Sequence, residues 1–186
     1  MTNENVTLPL LPLKSGVVLP GMVFTMALES DEARAAVEAA RSAGGRLLLV
    51  PHIEGRFASV GVISEVMEEG DLPGGLPAVA IRGDRRAVIG TGVPGTGAAL
   101  WVEAEPLDEP EPSAAVSELA REYRAVTENI LHSRGAGRIA AQLREITEPS
   151  RLADVSGYSP DLSLTQKVEV LEDALLDVLE PVVVGL

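Results

Sequence analysis

Three prolines within seven residues, Pro106, Pro110 and Pro112, divide this 186-residue chain into two parts that no single helix or strand can bridge. Each proline removes a backbone donor and fixes φ at about −65°. Before them, apolar residues recur with a period of two and tight-turn residues punctuate the runs. After them, the spacing changes to threes and fours. The pattern predicts an α+β chain, with a mainly β part over 1–106 and a helical part over 113–186.

In the first part, the run Leu8 to Leu13 contains Pro9 and Pro12, which predicts a strand at a sheet edge. Val17 to Leu19 stops at the turn signal Pro20-Gly21, and Met22 to Leu28 resumes an extended run. Ser30 can cap a helix with Asp31 and Glu32 in its first turn. Ala33, Val37 and Ala40 share one face of that helix, and Gly44-Gly45 ends it. Arg46 to Val50 reads as a short buried strand. Ser59 to Glu68 and Leu76 to Gly90 read as two strands joined around Gly70 to Gly75. Ala98 to Glu105 is a further strand, with Leu100, Val102 and Ala104 on one face and Trp101 on the other.

In the second part, Ser113 can cap a helix whose core face reads Val116, Leu119, Tyr123, Val126 and Ile130. Arg138 to Ile146 is a shorter helix, expected to stop at Pro149. Ser163-Leu164-Thr165-Gln166 matches a capping box. The helix it opens carries Leu164, Val168, Leu171, Leu175 and Val178 on one stripe and ends at Pro181.

Composition narrows the function classes. The absence of cysteine excludes disulfides and thiolate metal sites, and suits a reducing cytosol. The polar, acid-bearing opening does not read as a signal peptide. Apolar runs such as Leu47–Val50 and Val182–Val184 are too short to span a bilayer. Net charge is −13, spread evenly: residues 1–110 carry 15 acids against 8 bases (−7), and residues 111–186 carry 13 against 7 (−6). Such a field repels a phosphate backbone and disfavours nucleic-acid binding.

The chemical motifs fail in turn. Gly90-Thr91-Gly92-Val93-Pro94-Gly95 has the spacing of a dinucleotide loop, but a strand rather than a helix follows it. It reads as a hairpin loop. His52 and His132 lie in different parts, with no nucleophile elbow nearby, so no catalytic residue is assigned. No H-E-x-x-H or EF-hand pattern supports a metal site. Arg82, Arg85 and Arg86, around Gly83-Asp84, form one basic cluster. It is a candidate partner contact, or else a charged turn or strand edge that blocks unwanted pairing. Val18, Leu19, Pro20 and Met22 are candidate substrate contacts if the Pro-Gly turn holds its apolar side chains outward. The competing reading places them in the core.

Several of these residues also resemble a known family. Leu11-Pro12-Leu13, a short spacer and Val17-Val18-Leu19-Pro20-Gly21-Met22 resemble the opening signature of the amino-terminal domain of Lon proteases. Val60 to Val66 resembles that family's V-G-T-x-A-x-V strand, and Leu72-Pro73-Gly74-Gly75 its L-P-D-G turn. Ile81 to Ala87 resembles the strand V-x-G-x-x-R-A. Leu152-Ala153-Asp154 and Leu164 to Leu171 resemble its L-A-D and K-Q-x-L-L-E helices. After Glu172 the family reads D-V-x-x-R-L, and Asp173 to Leu179 lacks that arginine.

The resemblance implies a PUA-like, twisted β pseudo-barrel followed by a helical bundle. It implies a cytoplasmic protein that selects unfolded or damaged protein substrates and short-lived regulatory proteins. Lon proteins assemble as homohexamers, and their ATP- and Mg-dependent chemistry sits in AAA+ and serine-protease modules. This chain has no G-x-x-x-x-G-K-[ST], so by itself it is expected to be non-enzymatic and to need no cofactor. The alternative is a stand-alone Lon-like regulatory protein that binds a small ligand or RNA.

Overall fold

The computed structural model describes residues 4–109 and 111–172. Within the chain, Met1–Asp108 and Glu109–Leu186 form two compact units.

The described residues of the first unit form seven strands and one helix. The strands are β1 (Val6–Leu13), β2 (Val23–Ala27), β3 (Arg46–Ile53), β4 (Arg56–Phe57), β5 (Val60–Leu72), β6 (Leu76–Val93) and β7 (Leu100–Pro106). β1 pairs with β7, β7 with β6, β6 with β5 and β5 with β3, all antiparallel. A parallel pairing of β3 with β1 closes the ring into a barrel. β2 attaches to β6 and β4 to β3 outside the ring. The barrel interior is a cluster including Leu8, Leu10, Leu48, Val50, Ile63, Val102 and Ala104, with Ile89 against it.

The closure corrects one expectation. β1 is not an edge strand: residues Val6–Leu10 pair with β7 and Leu10–Leu13 with β3. The strand changes partner at Leu10. Pro9 therefore has a ladder on the β7 side only, and Pro12 on the β3 side only. A proline fits such a strand when its nitrogen faces the unpaired side.

Helix α1 (Asp31–Ser42) packs on β1 and β3. Ser30 caps it, accepting from Ala33 N at 3.1 Å. Its other end closes through Gly45 N donating to Ala40 O at 2.8 Å, with Gly44 and Gly45 both at positive φ. This six-residue closure leaves no strain only because glycine tolerates the left-handed region. Ala33, Val37 and Ala40 are buried, as their spacing predicts. β5 and β6 form a long hairpin turning at Pro73–Gly75, where Gly75 N donates to Leu72 O at 3.0 Å.

The second unit carries α2 (Ala114–Ser133), α3 (Gly137–Arg144), α4 (Pro149–Asp154) with a 3-10 turn over Val155–Tyr158, and α5 (Leu164–Glu172). Ser113 caps α2. Val116 and Tyr123 are buried, but Leu119, Val126 and Ile130 are half-buried, and Ala120 completes the buried face. Pro149 does not stop α3, which ends at Arg144; it opens α4 at the first helical position, where no backbone donor is needed. The capping box forms in full: Ser163 Oγ accepts from Gln166 N at 3.2 Å, and Gln166 Oε1 accepts from Ser163 N at 2.8 Å. Leu171 is buried. Leu175, Val178 and Pro181 lie outside the described residues. Among those described, no helix is long and apolar enough to cross a membrane.

Candidate substrate-binding surface

The apolar segment at 17–22 faces inward, contrary to the outward-turn reading. Met22 N donates to Leu19 O at 3.1 Å and Gly21 has φ 81°, which together make a type II turn with Pro20 and Gly21 at its centre. The turn does not project. Gly21 N donates to Gly83 O and Gly83 N donates to Met22 O, each at 2.9 Å, so it lies flat on β6. Leu19 is fully buried, and Val17, Val18, Pro20 and Met22 are buried with it. Only Gly21 and Val23 are exposed there. Val18, Leu19, Pro20 and Met22 are therefore core in this structure. Their apolarity serves packing because two backbone hydrogen bonds tie the turn to the sheet.

Arg82, Arg85 and Arg86 do not occupy a turn. They lie within β6: Arg82 has strand partners on both sides, Glu65 and Val23, whereas Arg85 and Arg86 have a strand ladder on the β5 side only, opposite Ile63 and Val62. Asp84 is the extra residue of a bulge between the Gly83 and Arg85 pairings. The side chains of Arg82 and Arg85, with Arg46, border a polar cleft of about 350 Å³. Arg82 pairs with Glu65 at 2.6 Å, and Arg85 lies 3.8 Å from Asp108. The cleft also contains Asp84, so acids of this same chain offset much of its positive charge.

A second concavity has different chemistry. It measures about 440 Å³ and lies where Phe57 and the β6–β7 hairpin meet the barrel. Leu10 and Val102 belong both to its lining and to the barrel interior, so it is the mouth of the barrel. Phe57, Ile89, Leu100 and Trp101 form its walls, and Ser59 also lines it. Phe57 is 49% exposed and Leu100 is 59% exposed. Leu100 is on the inward face, opposite Leu10, as the alternation predicts, but it stands at the open end and is not covered.

Both aromatic walls are braced from behind. Phe57 is the cross-strand partner of His52, with ring centroids 4.4 Å apart and planes tilted by 36°. Trp101 Nε1 donates to Thr96 O at 3.0 Å. Its indole occupies the space above Gly95, where a Cβ would come within 2.0 Å of the ring. The glycine-rich hairpin thus folds under the tryptophan, and Gly90 and Gly92 continue β6 rather than cradling a phosphate. Neither histidine has a catalytic setting: His52 stacks on Phe57, and His132 Nδ1 is 2.8 Å from Glu128 O on its own helix.

Comparison with known proteins identifies the family. Residues 7–177 match the ATP-dependent protease La (Lon) substrate-binding domain. The chain belongs to that family. It is 49% identical over 166 residues to a Lon protease of Salinispora arenicola, covering 89% of this chain and 21% of the relative. It is 45% identical over 175 residues to a Lon protease of Mycolicibacterium smegmatis, covering 94% and 22%. The chain thus spans about a fifth of these relatives. Among solved structures, it superposes on the N-terminal domain of a Mycobacterium avium complex Lon protease with a TM-score of 0.87 and 41% identity, covering 97% of this chain and 96% of that one. The Lon N-terminal domain protein from Xanthomonas campestris shares the fold, with a TM-score of 0.68.

Sequence reasoning found the Lon-type fold and missed the barrel mouth. Phe57 sits in a two-residue strand that gives no periodic signal. Trp101 did offer one, being the single tryptophan of the chain and following a run of four glycines between positions 90 and 97.

Proposed function

We propose that this chain is the substrate-recognition part of a Lon-type, ATP-dependent serine protease that works in the cytoplasm. It selects unfolded or damaged protein substrates, and short-lived regulatory proteins, for degradation. The observation that carries this reading is membership of the Lon substrate-binding domain family across residues 7–177. The chemistry belongs to other modules of such a protease, where ATP and Mg would bind; this chain contributes recognition and contacts to other Lon subunits in a homohexamer. An apolar, solvent-open mouth on a rigid barrel suits the role, because unfolded proteins share exposed apolar side chains and little else.

The test is a binding measurement with one protein in two states. The chain is titrated with a permanently unfolded variant of a small protein and, separately, with its folded parent. Saturable binding of the unfolded form with little binding of the folded one is expected. Equal binding of both, or of neither, refutes the role.

A further inference from the structure

We propose that the mouth of the barrel seats one large, uncharged apolar side chain from an extended, acid-poor segment of an unfolded protein. This deepens the recognition role above and rests on it. Three observations converge on this occupant.

The first is charge. Among the described residues, no ionisable side chain lines the mouth. A carboxylate or ammonium placed there would lose water and gain no partner, which is strongly unfavourable. Around it, residues 1–110 carry a net charge of −7, so acidic flanks are repelled and neutral or basic flanks are favoured. The second is size. At about 440 Å³ the mouth is near the small end of the roughly 300–1,000 Å³ range of ligand pockets, enough for one bulky side chain with its backbone left outside. The third is rigidity. His52 packs on Phe57, and Trp101 packs on Gly95 and donates to the Thr96 carbonyl, so both aromatic side chains at the mouth are held in place. A site whose walls are already ordered loses little side-chain entropy when it is filled.

Trp101 supplies the readout, since its emission reports only this site. Short peptides of Ser, Gly and Lys carrying one central Phe, Asp or Ala are titrated against the chain. The Phe peptide should shift Trp101 emission to shorter wavelength, and the Asp peptide should not. In parallel, binding of an unfolded protein is compared for the native chain, Leu100→Asp and Phe57→Ser. Leu100 and Phe57 are largely exposed, so both variants should keep the native melting temperature. Leu100→Asp should weaken binding about tenfold or more, equivalent to about 1.4 kcal/mol. If both variants bind the unfolded protein as tightly as the native chain does, the seat is elsewhere and the recognition role survives. If the native chain binds no unfolded protein, both readings fail. If the chain self-associates and Leu100→Asp makes it monomeric, the occupant is a second copy and the proposal is overturned.

Discussion

Substituting Gly83 by alanine tests the interlock that buries the turn at 19–22. An added Cβ at Gly83 would lie 2.7 Å from the carbonyl oxygen of Leu19, 3.2 Å from Val18 Cγ1 and 3.3 Å from Val62 Cγ1. The closest of these is backbone, and that backbone is pinned by the two 2.9 Å hydrogen bonds between the turn and Gly83 itself. Relief therefore requires the turn to lift, which loosens Leu19 and Met22 together. Overpacking of this kind costs about 1–3 kcal/mol, and the pinned backbone places Gly83→Ala toward the upper end. For a chain of this length, 2–3 kcal/mol lowers the melting temperature by roughly 4–12 °C. The control is Gly70→Ala, also within a strand. A Cβ there meets nothing within 4 Å and the backbone is not left-handed. That change should be neutral or stabilise by up to about 1 kcal/mol. Thermal and urea unfolding of both variants, followed by circular dichroism, make the comparison. If Gly83→Ala melts with Gly70→Ala, the turn is not locked on β6 as described.

The remaining predictions are shorter. Leu19→Ala should cost about 2–5 kcal/mol, since the side chain is fully buried. Met22→Leu keeps the volume but removes the sulfur that accepts from Leu19 N at 3.3 Å, and should cost about 1–3 kcal/mol; urea midpoints show both, and Met22→Leu should bind unfolded protein normally. Ser163→Ala removes one half of the capping box and should cost about 0.5–2 kcal/mol, read as lost helicity and lower stability. Burial raises the Tyr123 phenol above its ordinary 10.0, against a smaller opposing effect of the nearby Thr127 hydroxyl. The unfolded chain then ionises first, so this contribution to stability is intact below about pH 10 and is lost as pH rises through the folded value. Ultraviolet titration of phenolate alongside unfolding at alkaline pH should show the two changes together. Proteolysis under native conditions should cut between Pro106 and Pro112, where mass mapping locates the fragments.

What the sequence revealed of the fold was local chemistry. Ser30, Ser113 and the Ser163–Gln166 box cap helices through bonds spanning three residues, so their signals do not depend on the rest of the chain. Pro20-Gly21 and Pro73-Gly74 mark turns for the same reason. The resemblance implies a pseudo-barrel and the strands close into one, but the residue pattern does not show which pair closes it, because Leu10–Leu13 and Leu48–Pro51 are separated by a helix. Without that pairing, two prolines correctly suggest an unpaired side but wrongly suggest an outer strand. Arg82 to Arg86 do fall within the strand expected over Leu76 to Gly90, and only the alternative of a charged turn fails. Gly-Asp is a turn signal in isolation, yet here Gly83 is a seat for another backbone and Asp84 is a bulge in a long strand.

The site was less legible than the fold because the two are specified differently. The interlock between the turn and β6 constrains particular atoms: Gly21 needs a φ of 81°, Gly83 has no room for a Cβ, and Leu19 fills a closed space. Few residue types satisfy such demands, so the segments at 17–22 and 81–87 form a recognisable motif. The barrel mouth makes weaker demands on Phe57, Ile89 and Leu100, which need only be large and apolar at one end of the ring. A surface for varied unfolded segments gains nothing from one fixed shape, since its partners offer apolar area rather than a pattern of hydrogen bonds. The motif at 17–22 is therefore strongest where the chain holds itself together. The surface proposed to meet other proteins falls outside every motif that revealed the family, and becomes apparent only when β1, β4, β6 and β7 are brought to a common opening.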